Sequence, residues 1–220
     1  MPAEGALPAD EPGPLQLIET LRWSSAEGFV RLDRHLRRLA ASAEAFGIAF
    51  DEADAIQLLR RSVAGDCPLK VRLVLHFHGR MKCEVAALKI EQAWHFTFSP
   101  HWVQSGDPLL CHKTNRRELF NRELARAGAL GLQEVLFLNE RGEVTQGSRS
   151  NLFARVGSRL VTPARQCGLL NGCLRAELVE SGACAEAILF PEELFAASEL
   201  YFGNSLRGLM AAIFIPPPSF

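Results

Sequence analysis

Residues 134–163 read EVLFLNERGEVTQGSRSNLFARVGSRLVTP. Short apolar runs alternate with tight turns at Arg141-Gly142 and Gly157-Ser158, the pattern of consecutive antiparallel strands. Upstream, RRELFNRELARAG has helical spacing and is expected to stop at Gly128. Downstream, a helix from about Gly172 to Ser181, a strand at AEAILF, a short helix at PEELFAA and a strand pair around LYFGNS and GLMAAIFI complete one α/β unit.

Working back toward the N-terminus, SGDP marks a turn inside an expected linker over 103–110. Before it, LQLIETLRW and GFVRL predict two short strands joined at SSAEG, and Asp33 is expected to cap a helix carrying Leu36, Leu39, Ala40, Ala43 and Phe46 on one face. A second helix is predicted over 52–64, followed by an antiparallel meander of LKVRLVLHF, KCEVAAL and WHFTF. The expected organisation is a disordered tail over 1–13, a small α+β lobe over 14–102, the linker, and a larger lobe over 111–220. The fold class is thus α/β, two lobes with a cleft between them where ligands bind.

Composition narrows the function. The chain has 220 residues, 24 basic against 25 acidic, and a formal net charge of -1, so it carries no electrostatic footprint for nucleic acid. No apolar run reaches the roughly 20 residues that span a bilayer, and MPAEGALPADEPGP lacks the basic and apolar regions of a leader, so a cytoplasmic protein with no membrane partner is expected. The six cysteines show no CxxC pair and read as free, mostly buried thiols. His76 and His78 have no further ligand at metal spacing, and no metal is expected.

One residue type stands out. Of the 24 basic residues only Lys70, Lys82, Lys89 and Lys113 are lysines, and Lys113 lies just past the linker and just before a helix. Desolvation can lower a lysine's pKa into the working range and make it a free nucleophilic amine, which an arginine cannot become. A Schiff-base lysine and a side chain that merely flanks a helix are both consistent with that position alone.

ETLRW, RHLRRLAASAEAFG, HKTNRREL, EVLFLNERGEVTQGSRSNLF, CGLLNGCLRAEL and YFGNSLRGL occur in an order that resembles the class IV aminotransferases, pyridoxal-phosphate enzymes of fold type IV. Within that family the closest likeness is to aminodeoxychorismate lyases, and it runs from about Leu17 to Ala211. The resemblance implies pyridoxal 5'-phosphate in the cleft, a homodimer and a small amino substrate. It implies that Lys113 carries the cofactor and shuttles a proton, and that Arg38 binds its phosphate, a role suited to a guanidinium fork. The backbone amides of Cys173 and Leu174, at a helix start after Gly172, and the hydroxyl of Ser205 would complete the phosphate site. Arg149 and Arg207 are candidates for the substrate carboxylates, while Ser148 and Asn151 flank the cofactor segment.

Two features depart from the family pattern. Gln146 stands where a glutamate is expected to face the pyridine nitrogen, and an amide can only exchange a hydrogen bond there. The segment ahead of LIETLR is also short, as in lyases fused to a synthase component. The expected activity is therefore conversion of 4-amino-4-deoxychorismate to 4-aminobenzoate and pyruvate. The alternatives are a branched-chain or D-amino-acid aminotransferase, and a relative that binds cofactor or a partner without turnover.

Overall fold

The computed structural model describes residues 13–88 and 93–216, so all of the expected tail but Gly13 lies outside the described residues. Strand β1 (Gln16–Ser24) forms a hairpin with β2 (Gly28–Phe29). The second strand is only two residues long because the chain turns at Arg31, which adopts the left-handed region (φ 59°) and caps helix α1 (Leu32–Ala45). Asp33 therefore sits in the first turn of α1, where its carboxylate complements the helix dipole, and not at the cap. Helix α2 (Glu52–Ser62) begins at Asp51, whose side chain accepts from the Asp54 amide at 3.0 Å.

Strands β3 (Leu69–His76) and β4 (Met81–Ala87) complete an antiparallel sheet in the order β2-β1-β3-β4. Leu36, Leu39 and Ala43, spaced to share one face of α1, pack on Leu17, Leu21, Leu73 and Leu75 of this sheet.

The predicted meander ends there. Strand β5 (Ala93–Phe98) joins a second, eight-stranded sheet, where it runs parallel to both neighbours. Burial explains the crossing: Trp94 and Phe96 are fully enclosed, whereas β4 is an exposed edge that could not cover them. The expected linker is itself pinned down, with the Val103 amide donating to the Leu138 carbonyl at 3.0 Å and a 3-10 turn over Pro108–Cys111 started by Asp107. Helix α3 (Glu118–Ala129) runs through Gly128, and the chain reverses at Gly131, whose φ of 76° favours glycine.

The rest of the chain builds the large sheet. Strands β6 (Glu134–Leu138), β7 (Val144–Gly147), β8 (Asn151–Val156) and β9 (Arg159–Pro163) follow one another as the turn pattern predicts. After them come α4 (Cys173–Glu180), β10 (Ala185–Ala187), α5 (Pro191–Ala196), β11 (Glu199–Asn204) and β12 (Gly208–Phe214). The strand order is β10-β9-β8-β11-β12-β5-β6-β7, and a further β7–β8 pairing closes six of these strands into a ring. Its core holds Trp94, Phe96, Leu136, Leu152 and Phe202.

Two connections hold the sheets in register with each other. The Arg31 guanidinium donates from Nε and Nη2 to the Glu177 carboxylate of α4, 2.9 Å each, and Arg34 pairs with Glu180 at 2.7 Å. The first pair fixes the residue that carries the unfavourable backbone angle. Beyond the linker, the Lys113 carbonyl accepts from the Ile18 amide at 2.8 Å and Thr114 bridges Leu17, so the lysine segment lies along β1. Among the described residues no helix is long and apolar enough to cross a membrane.

Candidate active site

A cavity of about 720 Å³ opens between the two sheets, and its wall includes His35, Arg38, Lys113, Gln146, Cys173 and Ser205. Each element brings its residue there for a local reason. Lys113 is delivered by the strip that borders β1, Arg38 by the second turn of α1, and Cys173 by the start of α4. Ser205 sits in the turn between β11 and β12.

Burial drives the Lys113 ammonium down from the ordinary 10.5 to about 7, with Arg117 and Arg38 nearby adding to the effect. An amine in that range is part free base at neutral pH, a state an arginine could not reach.

Arg38 is held by Glu19 of β1: Nε donates to Oε1 at 2.9 Å and Nη2 to Oε2 at 2.6 Å, while Nη1 reaches the Asn171 carbonyl at 3.2 Å. Burial opposes the charge on Glu19, but Arg38 and His35 outweigh it and hold its pKa at about 2. His35 joins the same group, with Nδ1 at 2.6 Å from Glu19 Oε2 and Nε2 at 2.8 Å from Ser205 Oγ. Neither Glu19 nor His35 was singled out from sequence. The available signal was an acid alone in the apolar run of β1, and a histidine three residues before Arg38 on the buried face of α1.

No side chain caps α4, so the first amides of the helix point toward an incoming anion. Gly172 permits this approach, since a Cβ there would lie 2.2 Å from Asn151 Oδ1. Leu174 has only its backbone to offer the cavity, because its side chain packs against Gly203 and does not line the wall.

The segment after β7 is organised by Glu134, another residue the sequence did not mark. Its carboxylate lies in the core and accepts from the Ser148 amide at 2.8 Å and from Ser150 Oγ at 2.7 Å. Burial raises its pKa, the cost of holding a turn from inside. Gly147 leaves room for it, as a Cβ would come within 2.8 Å of the Glu134 carboxyl carbon. Within this segment Gln146 is buried, and its Oε1 accepts from the Leu170 amide at 3.1 Å. Of the two ends of the Gln146 amide only the oxygen can accept from an N–H, so the carbonyl end is fixed and the NH2 end is what remains for a ligand. Asn151 donates to the Leu170 carbonyl at 2.9 Å, and Ser148 uses its carbonyl to accept from Arg117 at 2.5 Å.

Arg149 and Arg207, 58 residues apart in the chain, come together over one ring. Their guanidinium carbons lie 4.6 and 5.5 Å from the centre of Trp94, and both side chains reach the cavity wall. Arg149 also donates to the Gln133 carbonyl at 2.9 Å. Lys70, Arg72, Arg116 and Arg117 line the same cavity, whose lining acids are Asp107 and Glu118 among the described residues. The surplus of cations suits a ligand with several negative charges.

His76 ends β3 and His78 lies in the following turn, with rings stacked 5.5 Å apart at the surface. All six cysteines are free, three of them buried.

The donor set fits pyridoxal phosphate: a deprotonatable lysine, an arginine, uncapped helix amides and a hydroxyl converge on one cavity. The family model "Amino-transferase class IV" matches residues 16–213. A Schizosaccharomyces pombe protein provisionally named aminodeoxychorismate lyase is 26% identical over 198 residues, 85% of each chain. A Mesorhizobium loti crystal structure, provisionally an amino-acid aminotransferase, is 36% identical with a TM-score of 0.87 over 91% of this chain and all of its own. A Brucella abortus aminotransferase bound to PLP is 22% identical with a TM-score of 0.77, over 90% of this chain and 80% of its own, a likeness of fold. The chain belongs to the class IV aminotransferase family.

Proposed function

We propose that the chain is a pyridoxal-phosphate-dependent lyase that converts 4-amino-4-deoxychorismate to 4-aminobenzoate and pyruvate. The observation that carries this reading is the orientation of Gln146. With its carbonyl accepting from the Leu170 amide, the NH2 end is the one that would meet the cofactor's ring nitrogen. A donor there suits an unprotonated nitrogen, and an unprotonated ring draws electrons more weakly than one protonated against a carboxylate. General transamination depends on the stronger pull. Loss of pyruvate leaves an aromatic product, and aromatisation supplies driving force that the cofactor need not.

Bound in the cavity, pyridoxal phosphate supplies an aldehyde for the substrate amine and a conjugated ring that takes up electrons from the adjacent C–H bond. Arg38, Ser205 and the amides of Cys173 and Leu174 hold its phosphate. Lys113 Nζ, with a pKa of about 7, is the nucleophilic amine and then takes the proton from the substrate carbon. Arg117, which lowers that pKa, favours the free base. Arg149 and Arg207 orient the two carboxylates of the substrate from above Trp94. The reading includes a homodimer in the cytoplasm.

A second reading, transfer of an amino group between a small amino acid and an oxo acid, is favoured by the Mesorhizobium loti relative. One experiment separates the two. The purified protein, loaded with pyridoxal phosphate, is given 4-amino-4-deoxychorismate, and separately a panel of amino acids with 2-oxoglutarate. Release of 4-aminobenzoate and pyruvate with slow glutamate formation supports the lyase. Fast glutamate formation with no 4-aminobenzoate overturns it.

A further inference from the structure

Glu19 and His35 form a buried chain that ends on Ser205, and the chain has a consequence for how that serine meets an anion. Both ring nitrogens of His35 are engaged, and the ring is 1% exposed. The Glu19 carboxylate is ionised and accepts from Arg38, so the nitrogen facing it, Nδ1, carries a hydrogen and donates. Only Nε2 is free to change. Without a proton Nε2 accepts the Ser205 hydroxyl hydrogen, and Oγ then offers the cavity nothing but lone pairs. With a proton Nε2 donates to Oγ, and the single hydroxyl hydrogen of Ser205 is released toward the cavity.

Taking the phosphate site proposed above as the starting point, we propose that Glu19 and His35 are positioning residues. They turn the Ser205 hydroxyl into a donor for the cofactor phosphate, and the donor is withdrawn when the His35 ring loses its proton.

The surroundings agree. The groups facing His35 are Glu19 from β1, Ser205 from the β11–β12 turn and Cys173 from α4, with Arg38 on its own helix bound to the same carboxylate and Lys113 on the cavity wall nearby. Burial disfavours the imidazolium, but Glu19 and Cys173 outweigh it and raise the His35 pKa. Donor atoms of Glu19, His35 and Cys173 lie within 4.8 Å of one another, an arrangement compatible with a cation by distance alone. The Arg38 guanidinium already occupies the Glu19 carboxylate, so a metal ion there would meet a fixed positive charge.

The test compares equilibrium affinities for pyridoxal phosphate and for pyridoxal, which lacks the phosphate, from about pH 6 to about pH 9.5. The interval is set by the ordinary histidine value and its upward shift. The ratio of the two affinities isolates the phosphate contacts, because titration of Lys113 affects both ligands alike. Divided by the ratio for Ser205→Ala at the same pH, the wild-type ratio is constant at low pH and falls about tenfold as His35 deprotonates, the size of one hydrogen bond to a charged group. The phosphate's own second ionisation, near pH 6, raises affinity over the lower part of the range in every variant and so cancels between them.

Ser205→Ala starts from the lower ratio and loses the fall, and His35→Gln, whose NH2 end must face the Glu19 carboxylate and whose carbonyl then accepts from Ser205, holds the lower ratio at all pH values. The 31P resonance of bound cofactor follows the same step in the wild type and not in Ser205→Ala. Wild-type and Ser205→Ala profiles that descend in parallel would overturn the proposal while leaving the cofactor site standing. Equal affinities for pyridoxal and pyridoxal phosphate at every pH would instead remove the phosphate site, and this inference with it.

Discussion

Replacing Lys113 by methionine, close in length and without charge, measures how strongly the cavity disfavours the ammonium. In the cofactor-free protein the folded-state pKa is about 7, against 10.5 in the unfolded chain. Between those values the unfolded chain holds up to one proton more than the folded one, so stability rises with pH at no more than ~1.4 kcal/mol per unit. The sign follows from a depressed pKa: the full stability is present above 10.5 and is lost as pH falls to about 7. From pH 7 to 9 the wild type thus gains about 2 kcal/mol that Lys113→Met cannot gain. Cys167 and Cys184, both pushed up to about 11 by burial, work in the opposite direction at the alkaline end, but equally in both proteins. Urea unfolding of the two cofactor-free proteins at pH 7, 8 and 9 reads the difference directly. The variant is the more stable at pH 7, and its advantage shrinks by about 2 kcal/mol by pH 9. Curves that stay parallel would mean that the amine titrates near its ordinary value, and the case for a nucleophile at this position would be lost.

Three further outcomes are open to measurement. Gln146→Glu keeps an oxygen for the Leu170 amide and sets a carboxylate against the ring nitrogen; glutamate formation from amino acids rises by roughly tenfold or more, while 4-aminobenzoate release changes less, as steady-state rates for both reactions will show. Arg207→Ala removes one of the two guanidiniums over Trp94 and raises KM for 4-amino-4-deoxychorismate about tenfold, with little effect on binding of the cofactor measured by its absorbance. Gly172→Ala forces a methyl group against Asn151 Oδ1, displaces the start of α4 and costs about 1–3 kcal/mol in thermal or urea unfolding, together with a loss of cofactor affinity.

How much of this could be read in advance differs by residue. Lys113 could, because a lysine in an arginine-rich chain, set between a turn and a helix, already poses a chemical question. Arg38 was legible through the likeness of its motif, as was the anomaly at Gln146, and Gly172 as a glycine leading into a helix. Glu19, His35 and Glu134 were not, because a single acid or histidine inside an apolar pattern says nothing of its partner until the chain folds. Glu19 meets Arg38 across 19 residues and His35 meets Ser205 across 170.

The departures in the fold have the same origin. Periodicity found β3, β4 and β5 as strands but could not tell which sheet each would enter, because alternation records that a face is buried and not by what. The enclosed Trp94 and Phe96 required a core on both sides, and only the large sheet supplied it. By itself the sequence determined most of the elements and the α/β class and singled out Lys113 as the residue to question, all of which rest on local spacing and residue chemistry. The tertiary structure alone decided which way the Gln146 amide faces, which arginines share a ring, and how a buried carboxylate reaches a serine through an imidazole. Those depend on contacts between segments far apart in the chain, where burial and hydrogen-bond satisfaction set the answer.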